Sequence, residues 1–552
     1  MTDRWTPSQL AGTIRWVLAV EYAGGTWYLT DEAMTIAYGA STVVLSDGLL
    51  DVAGTEESLD LWSTDAPRRS CQVEFDLGID VAELVERGHD LAGCVAELAQ
   101  LADGDDWADR RPFVRGRLVE PQYGAAGEGV RASIEQDILS DETEIRTVEC
   151  AARDFGNAAT SVTGHAYLEA LSESQGEDVQ AAITPPIILG TPGAGTIPGS
   201  PATRVRWFQD VASGDYYYYW VIAGHAVEAT TVTLRATDGT EATFPVYVVT
   251  LPSGIVVSFV IDNVDAAAPS WTNTTESAVV IWDNGGGLID QNYGPLRYGG
   301  DYVAWLLALT EQDIDHARVN VAREQLRGYQ VAAYLNDSVL VADYIREVVL
   351  DVLPVSFTVG PRGVYPYVWR WDATVADAVC EWNLTEDFDI AREGLVTYED
   401  ADKIVNTLQL RYGWRPRREE YAYEMWAVGD PASRPRGLRF GGAASLALSY
   451  WSDPLLARSL SRYGVRSDAL ETAIVHDDHT ATQVLAWRSR RWALPSRVVQ
   501  YTAAQRWGWV EPGDFVVVTD PELAWSKRLC LVQSRAWAED GSVRYTLRVQ
   551  EG

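Results

Sequence analysis

Lysine is almost missing from this sequence of 552 residues: Lys403 and Lys527 are the only two, so 42 of the 44 basic side chains are arginine. Basic charge is scarce as well, since 79 acidic residues against 44 basic ones give a formal net charge of −35. Duplex binding is driven largely by neutralising phosphates, so stable nucleic-acid binding is not expected. The five cysteines, Cys71, Cys94, Cys150, Cys380 and Cys530, form no CxxC pair. Their number and dispersal fit buried thiols in a reducing compartment rather than a disulfide framework or a zinc site. No run of ~20 apolar residues is present to span a bilayer, and the opening MTDRWTPSQL lacks the apolar core of a signal peptide. A soluble chain with no membrane span and no recognisable leader is therefore expected. There is also no GxSxG elbow, and no cysteine stands in a familiar catalytic context.

What is present can bury several cores. A chain that is 47% hydrophobic and 22% charged is neither disordered nor collagen-like, and at ~100–200 residues per domain it predicts about three to five domains. Residues 15–22 and 26–30 read as two strands around Gly24-Gly25. Asp80 and Glu83 form a capping-box-like start, and Val81, Leu84, Val85, Leu91, Val95, Leu98 and Leu101 recur at helical spacing, so a helix interrupted near Gly88 is predicted there. Strands at 111–119 and 129–135, joined by the turn-rich 122–128, complete a small β-barrel carrying a helix over residues 1–150.

The stretch Thr184–Pro201, TPPIILGTPGAGTIPGSP, is dense in proline and glycine and reads as a linker or extended arm within a connector, 151–201. Strand-like segments at 215–222, 230–236 and 243–250, with Asp238-Gly239 as a turn, make 202–300 an inserted β-sandwich-like domain. A helix over 315–326, stopped by Gly328, a strand at 351–358 and a second helix opening at Thr374-Val-Ala-Asp377 make 301–410 an α+β block. In 411–552, Ala481, Val484, Leu485 and Trp492 recur helically up to Pro495, and strands follow at 497–501, 515–519, 528–535 and 543–549. The last strand places Val543, Tyr545, Leu547 and Val549 on a dry face and Arg544, Thr546 and Arg548 on a wet one. The fold class expected is a β-rich, multidomain α+β chain with barrel-like domains, short helices and an inserted all-β domain.

Candidate chemistry is thin. His476-Asp-Asp-His479 has metal-ligand residue types, but it lies where a helix should start, and Asp477 or Asp478 serves equally as its N-cap; no third ligand is visible. Asp103-Gly-Asp-Asp-Trp-Ala-Asp109 lacks the glycine and glutamate register of a calcium loop and reads as a solvated turn. Glycine clusters at 283–287 and 193–195 lack the spacing of phosphate loops. A glycosidase needs only two carboxylates, which inspection cannot select among 79 acids. The run Tyr216, Tyr217, Tyr218, Tyr219 and Trp220 is unusual: in a strand its rings alternate between faces, one to pack and one to meet a partner or a glycan. No catalytic residue, cofactor site or metal site is assigned.

The order Ser461-Arg-Tyr-Gly464, a helix opened by Thr480-Ala481, Pro495, Glu511-Pro-Gly-Asp514 and a closing hairpin resembles the last domain of tailed-phage tail-tip or baseplate hub proteins. Ile404–Tyr412 resembles the strand that introduces that region, and Trp282-Asp-Asn-Gly-Gly-Gly287 resembles a motif of phage tail proteins; the similarity covers about residues 280–552. The resemblance implies a noncatalytic, homotrimeric hub of the virion tail tip, assembled in the host cytoplasm. Its two barrel-like domains per subunit would form a ring against the tail tube or distal tail protein, seat the central fibre or spike, and surround the tape-measure protein terminus. Residues at about 160–300 depart from a minimal hub and are expected to form an insert on the tail's exterior. The alternatives are a carbohydrate-binding adhesin using Tyr216 to Trp220, and a tail-associated or free cell-wall hydrolase.

Overall fold

The computed structural model describes residues 5–550 apart from 23–24, 54–55, 59–67, 78–90, 124–128, 138–142, 175–180, 192–199, 237–238, 264–277, 283–286, 291–293, 311–312, 361–362, 400–402, 416–418, 430–448 and 539–540. The chain is a β-rich, multidomain α+β fold. Three large sheets are joined by a block that holds the helices Gly299–Ala308 and His316–Gln325.

The first sheet runs, in spatial order, Gly25–Thr30, Ile14–Tyr22, Val95–Ala102, Arg111–Tyr123, Val130–Asp137, Arg68–Phe75 and Leu49–Ala53. Both sequence-predicted strand pairs are present, Val17 opposite Thr30 and Ile134 opposite Leu118. A flat seven-stranded sheet would hold its outer strands ~29 Å apart. Here Ser46 exchanges hydrogen bonds with Tyr28 and Thr30 on one outer strand (2.9 and 2.8 Å), while Leu49, three residues later, pairs with Phe75 beside the other. Only a sheet rolled back on itself permits that.

The predicted helix is corrected over its second half: Val95, Leu98 and Leu101 lie in the strand Val95–Ala102, while 78–90 fall outside the described residues. That strand is buried on both faces, Ala96 and Leu98 in one core and Ala99 and Leu101 in another. With apolar residues on either side, the alternation of two disappears and a chance spacing of three and four is left.

The second sheet runs Glu241–Pro245, Thr231–Ala236, Ala278–Ile281, Ser200–Asp210, Tyr216–Ala223, Val256–Asn263 and Tyr247–Thr250. Its two outer strands are consecutive and separated by Val246 alone, and the strand Ser200–Asp210 pairs at its start with Ala278–Ile281 and further on with Tyr216–Ala223, so the strands wrap around a shared interior. Its interior holds Trp220, Ile222, Val260 and Trp282. The helix Ala152–Thr163 covers its outside through Phe155 and Ala159, against Phe208, Tyr219 and Phe259. Part of the expected Pro/Gly linker is a strand instead: Ile187–Leu189 pairs with Ala333–Leu335. Glu144–Ile145 pairs with the adjoining Val339–Leu340, and Leu288 returns to Ile188 (2.7 Å). Gly287 is required at that return, because a Cβ there would meet the Ile188 carbonyl.

The middle block holds the helices Gly299–Ala308 and His316–Gln325, the latter capped by Asp315, whose carboxylate accepts from the Ala317 and Arg318 amides (both 3.1 Å). The segment expected as a strand from Asp351 begins as helix, Leu350–Val352, and becomes extended at Val355–Gly360. The second expected helix is corrected to a single turn, Val375–Asp377. Its capping box forms, but Val379 donates to the Phe515 carbonyl (2.8 Å) and Cys380–Asn383 joins a parallel ladder with residues 516–519. Tertiary pairing overrides the local start signal.

The last sheet runs Cys380–Asn383, Phe515–Asp520, Trp525–Trp537, Val543–Val549, Ser496–Ala503 and Ile390–Glu399. Trp382, on its first strand, meets Tyr501, on its fifth, with ring centroids 6.1 Å apart. Four strand spacings in a flat sheet would be ~19 Å, so this sheet is rolled too. Val543, Tyr545, Leu547 and Val549 are buried as expected and Arg544 is exposed, but Arg548 is buried, a correction to the wet face. A four-stranded sheet containing Thr407–Arg415 and the helix Asp478–Trp492 pack beside it on the large central core.

The first and last barrels are tied together. Glu56–Ser58 adds as a strand to Ser534–Ala536, and Trp5 meets Trp537 edge-on at 6.5 Å. Arg535, 4% exposed, donates to Glu57 (Nε to Oε2, 2.8 Å) and to the carbonyls of Gly508 (2.7 Å) and Val510 (3.2 Å). Burial alone would lower the Arg535 pKa, yet the Glu57 carboxylate carries it above its ordinary value.

Candidate functional site

The barest apolar surface among the described residues lies on the rim of the last barrel. Phe388 is 92% exposed, Leu395 82% and Tyr398 67%. They sit on or beside Ile390–Glu399, whose partner on one side is Ser496–Ala503 and which ends the sheet on the other. Register breaks between Glu393 and Thr397, where Gly394 takes φ 74°, a left-handed conformation costly to other residues. This bulge lifts Leu395 outward and interrupts the row of free main-chain groups that would otherwise template a further strand. Charges along the rim are satisfied: Asp389 by Arg506 (2.7 Å), Glu393 by Arg544 (3.0 Å), and Arg392 by Asp520 (3.2 Å). The Arg506 partner holds the Asp389 carboxyl below its usual range. Fully burying each large apolar side chain is worth ~1.5–3 kcal/mol, so a partner that covered them would gain that free energy.

The aromatic run divides as strand geometry requires. Trp220 is inside the inserted barrel. Tyr219 faces the covering helix, stacked on Phe208 at 3.6 Å, its hydroxyl donating to Thr163 (2.7 Å) and lying 2.7 Å from His165 Nδ1; burial pushes its pKa up. Tyr217 stacks on His165 (4.3 Å), and Tyr218 is buried. Tyr216 stays partly exposed, edge-on to Trp207 at 5.8 Å. The register aligns Trp207, Tyr218 and Asp262 across three neighbouring strands on one face. Neither Trp207 nor Asp262 stands out in sequence, because only the ladder brings them beside the run.

His476 and His479 do not converge. Asp477 is the N-cap, accepting from the Thr480 amide (2.8 Å), and Tyr412 donates to Asp478 (2.5 Å). His476 Nε2 lies 3.2 Å from the Ala332 carbonyl, and burial pulls its pKa down to about 4. His479 is exposed. In the acidic loop, Asp106 caps a turn at Trp107–Asp109, and Asp103 pairs with Arg15 (3.1 Å). Among the described residues no three His, Cys, Asp or Glu side chains are grouped to hold a metal ion, and none of the five cysteines is joined in a disulfide.

No protein-family model matches the chain, and no curated protein is similar to it in sequence. Similar solved structures include a tail protein from Neisseria meningitidis MC58, with 9% identity over 97% of this chain and 96% of that one, TM-score 0.34. Another is the 43 kDa tail protein of prophage MuSo2 from Shewanella oneidensis, with 11% identity over 97% and 98%, TM-score 0.31. A chain of the phage P2 baseplate in its activated conformation with Ca matches over 68% of this chain and 90% of its own, with 9% identity and TM-score 0.14.

Proposed function

We propose that the chain is a noncatalytic structural subunit of a bacteriophage tail, a homotrimeric hub of the tail tip. In this reading the tied first and last barrels form the repeating wall of a ring, and the inserted barrel stands outside it. The ring would join the tail tube or distal tail protein to the central fibre or spike and surround the tape-measure terminus. The observation that carries the reading is the rim of Phe388, Leu395 and Tyr398, bare in a single chain while the charges beside it are already paired. Covering each of these side chains with a partner would remove apolar surface from water. The test is mass photometry of the purified chain alone and with neighbouring tail proteins, alongside the variant Phe388→Ser, Leu395→Ser, Tyr398→Ser. The wild type should form trimers that join tails, and the triple variant should stay a folded monomer. A wild-type monomer that joins no tail, or a triple variant that assembles normally, refutes the reading.

A further inference from the structure

A cleft opens between the last barrel and the end of the helix Asp478–Trp492. In a chain with 79 acidic residues against 44 basic ones, its lining carries three arginines, Arg490, Arg491 and Arg548, and among the described residues no carboxylate. Trp369, Trp371 and Leu494 give it apolar walls. Arg490 and Arg491 stand in the last turn of the helix, where its dipole favours cations. Arg548 has a different origin: it lies on the closing strand Val543–Val549 and is only 5% exposed. Arg490 is held in place from two sides. Its Nε donates to Asp453 (2.9 Å), which also caps the helix Pro454–Tyr463 through the Leu455 amide (2.8 Å), and its guanidinium lies 4.5 Å from the centre of the Trp371 ring. Trp371 is anchored in turn, since Gln550 Nε2 donates to its carbonyl (3.1 Å). The bond to Asp453 uses only the Nε–H of Arg490, which leaves the four N–H donors of its two Nη atoms for a ligand, and the side chain keeps 33% exposure.

The cleft holds about 30 Å³, roughly twice the ~10–15 Å³ that one water needs. That is room for the two oxygens of a carboxylate and too little for a nucleotide or a sugar ring, so what enters is the tip of something longer. A guanidinium presents its N–H groups in a rigid fork that matches a carboxylate, and the methylene groups behind that carboxylate would lie against Trp369, Trp371 and Leu494. A cation would be repelled by three guanidiniums, and a neutral amide would bring no charge to meet them. We infer that this cleft receives the carboxylate of a glutamate or aspartate side chain on an acidic segment of a partner protein. The inference rests on the cleft alone and does not depend on the tail reading.

The test is isothermal titration calorimetry of the full chain with an end-blocked tetraglutamate peptide, its tetraglutamine counterpart and sodium acetate, at about 0.15 M salt, where long-range repulsion from the net charge of the chain is screened. Arg491→Gln removes one charge and keeps the Asp453 pair, and Arg490→Lys keeps the charge and removes the fork; near-UV circular dichroism reports whether each variant keeps its packing. Arg327→Gln, on exposed surface elsewhere, is the control. Tetraglutamate should bind and tetraglutamine should not, and both cleft variants should weaken binding about tenfold or more, tenfold being the loss of about one hydrogen bond to a charged group. Tetraglutamate binding unchanged in either folded cleft variant overturns the assignment, and equal weakening in the control overturns it in favour of general charge attraction. Acetate binding as tightly as the peptide overturns it in favour of a free-anion site. The comparison of the two peptides on the wild type decides even without a folded variant: equal binding of both, or binding of neither, overturns the inference.

Discussion

Replacing Arg535 by methionine tests the joint between the first and last barrels. The side chain is 4% exposed and makes three kinds of contact: the Glu57 carboxylate, the Gly508 carbonyl and the Val510 carbonyl. Methionine keeps most of the stem volume but leaves one carboxylate and two carbonyls without their donor. Removing one partner of a buried pair costs ~3–5 kcal/mol, because the other is stranded. The Glu57 side chain keeps 21% exposure, so some of its charge is rehydrated and ~3 kcal/mol is the expected loss. For a unit of about 150–250 residues that lowers the melting midpoint by roughly 6–12 °C. Differential scanning calorimetry should show the first barrel's transition separating from the last barrel's, and limited proteolysis should then cut around Glu57 first. Glu57→Gln, which leaves an acceptor for Arg535, should cost less. A midpoint shift under about 2 °C, the size of an ordinary surface substitution, would refute the claim that this guanidinium holds the two barrels together.

Two buried ionisable groups should act oppositely in one pH window. The depressed pKa of His476 means that its folded form resists protonation. Its contribution is complete above the unfolded value of ~6.5 and is lost as pH falls towards about 4, roughly 3 kcal/mol in all; urea titrations of His476→Gln should lack that loss. Asp262, raised to about 7, favours the protonated folded form, so the wild type gains stability on acidification from about 7 towards 4. Asp262→Asn should be more stable than wild type at neutral pH by on the order of 3 kcal/mol, with no advantage near pH 4; equal stability at both pH values would count against a desolvated carboxyl. Gly287→Ala should destabilise by ~1–3 kcal/mol, because the new methyl meets the Ile188 carbonyl, and hydrogen exchange at Leu288 should quicken. Gly328→Ala, where a Cβ meets nothing within 4 Å, is the control expected to change little.

The parts of the fold legible in sequence were those whose local signals agreed with their surroundings. The closing strand has one apolar face, so its alternation is readable, and the helix Asp478–Trp492 carries both its Asp477 cap and its apolar stripe. Val95–Ala102 was misread because cores press on both of its faces. Thr374-Val-Ala-Asp377 was misread because a correct cap was followed by a ladder with Phe515–Asp520, more than 130 residues away. Arg548 looked exposed because pleat parity says nothing about what lies over the other face. At the inserted barrel the tyrosine run was visible, but the Trp207 and Asp262 placements depend on register between strands and leave no short-range trace.

The inserted barrel is moored to the central block where Glu144–Ile145 pairs with Val339–Leu340 and where Ile187–Leu189, to which Leu288 returns, pairs with Ala333–Leu335. Such a plug can be exchanged as a cassette. A recombination whose breakpoints fall at those moorings trades one outer module for another without disturbing the Glu57–Arg535 clasp, so the scaffold and its appendage are free to diverge at different speeds.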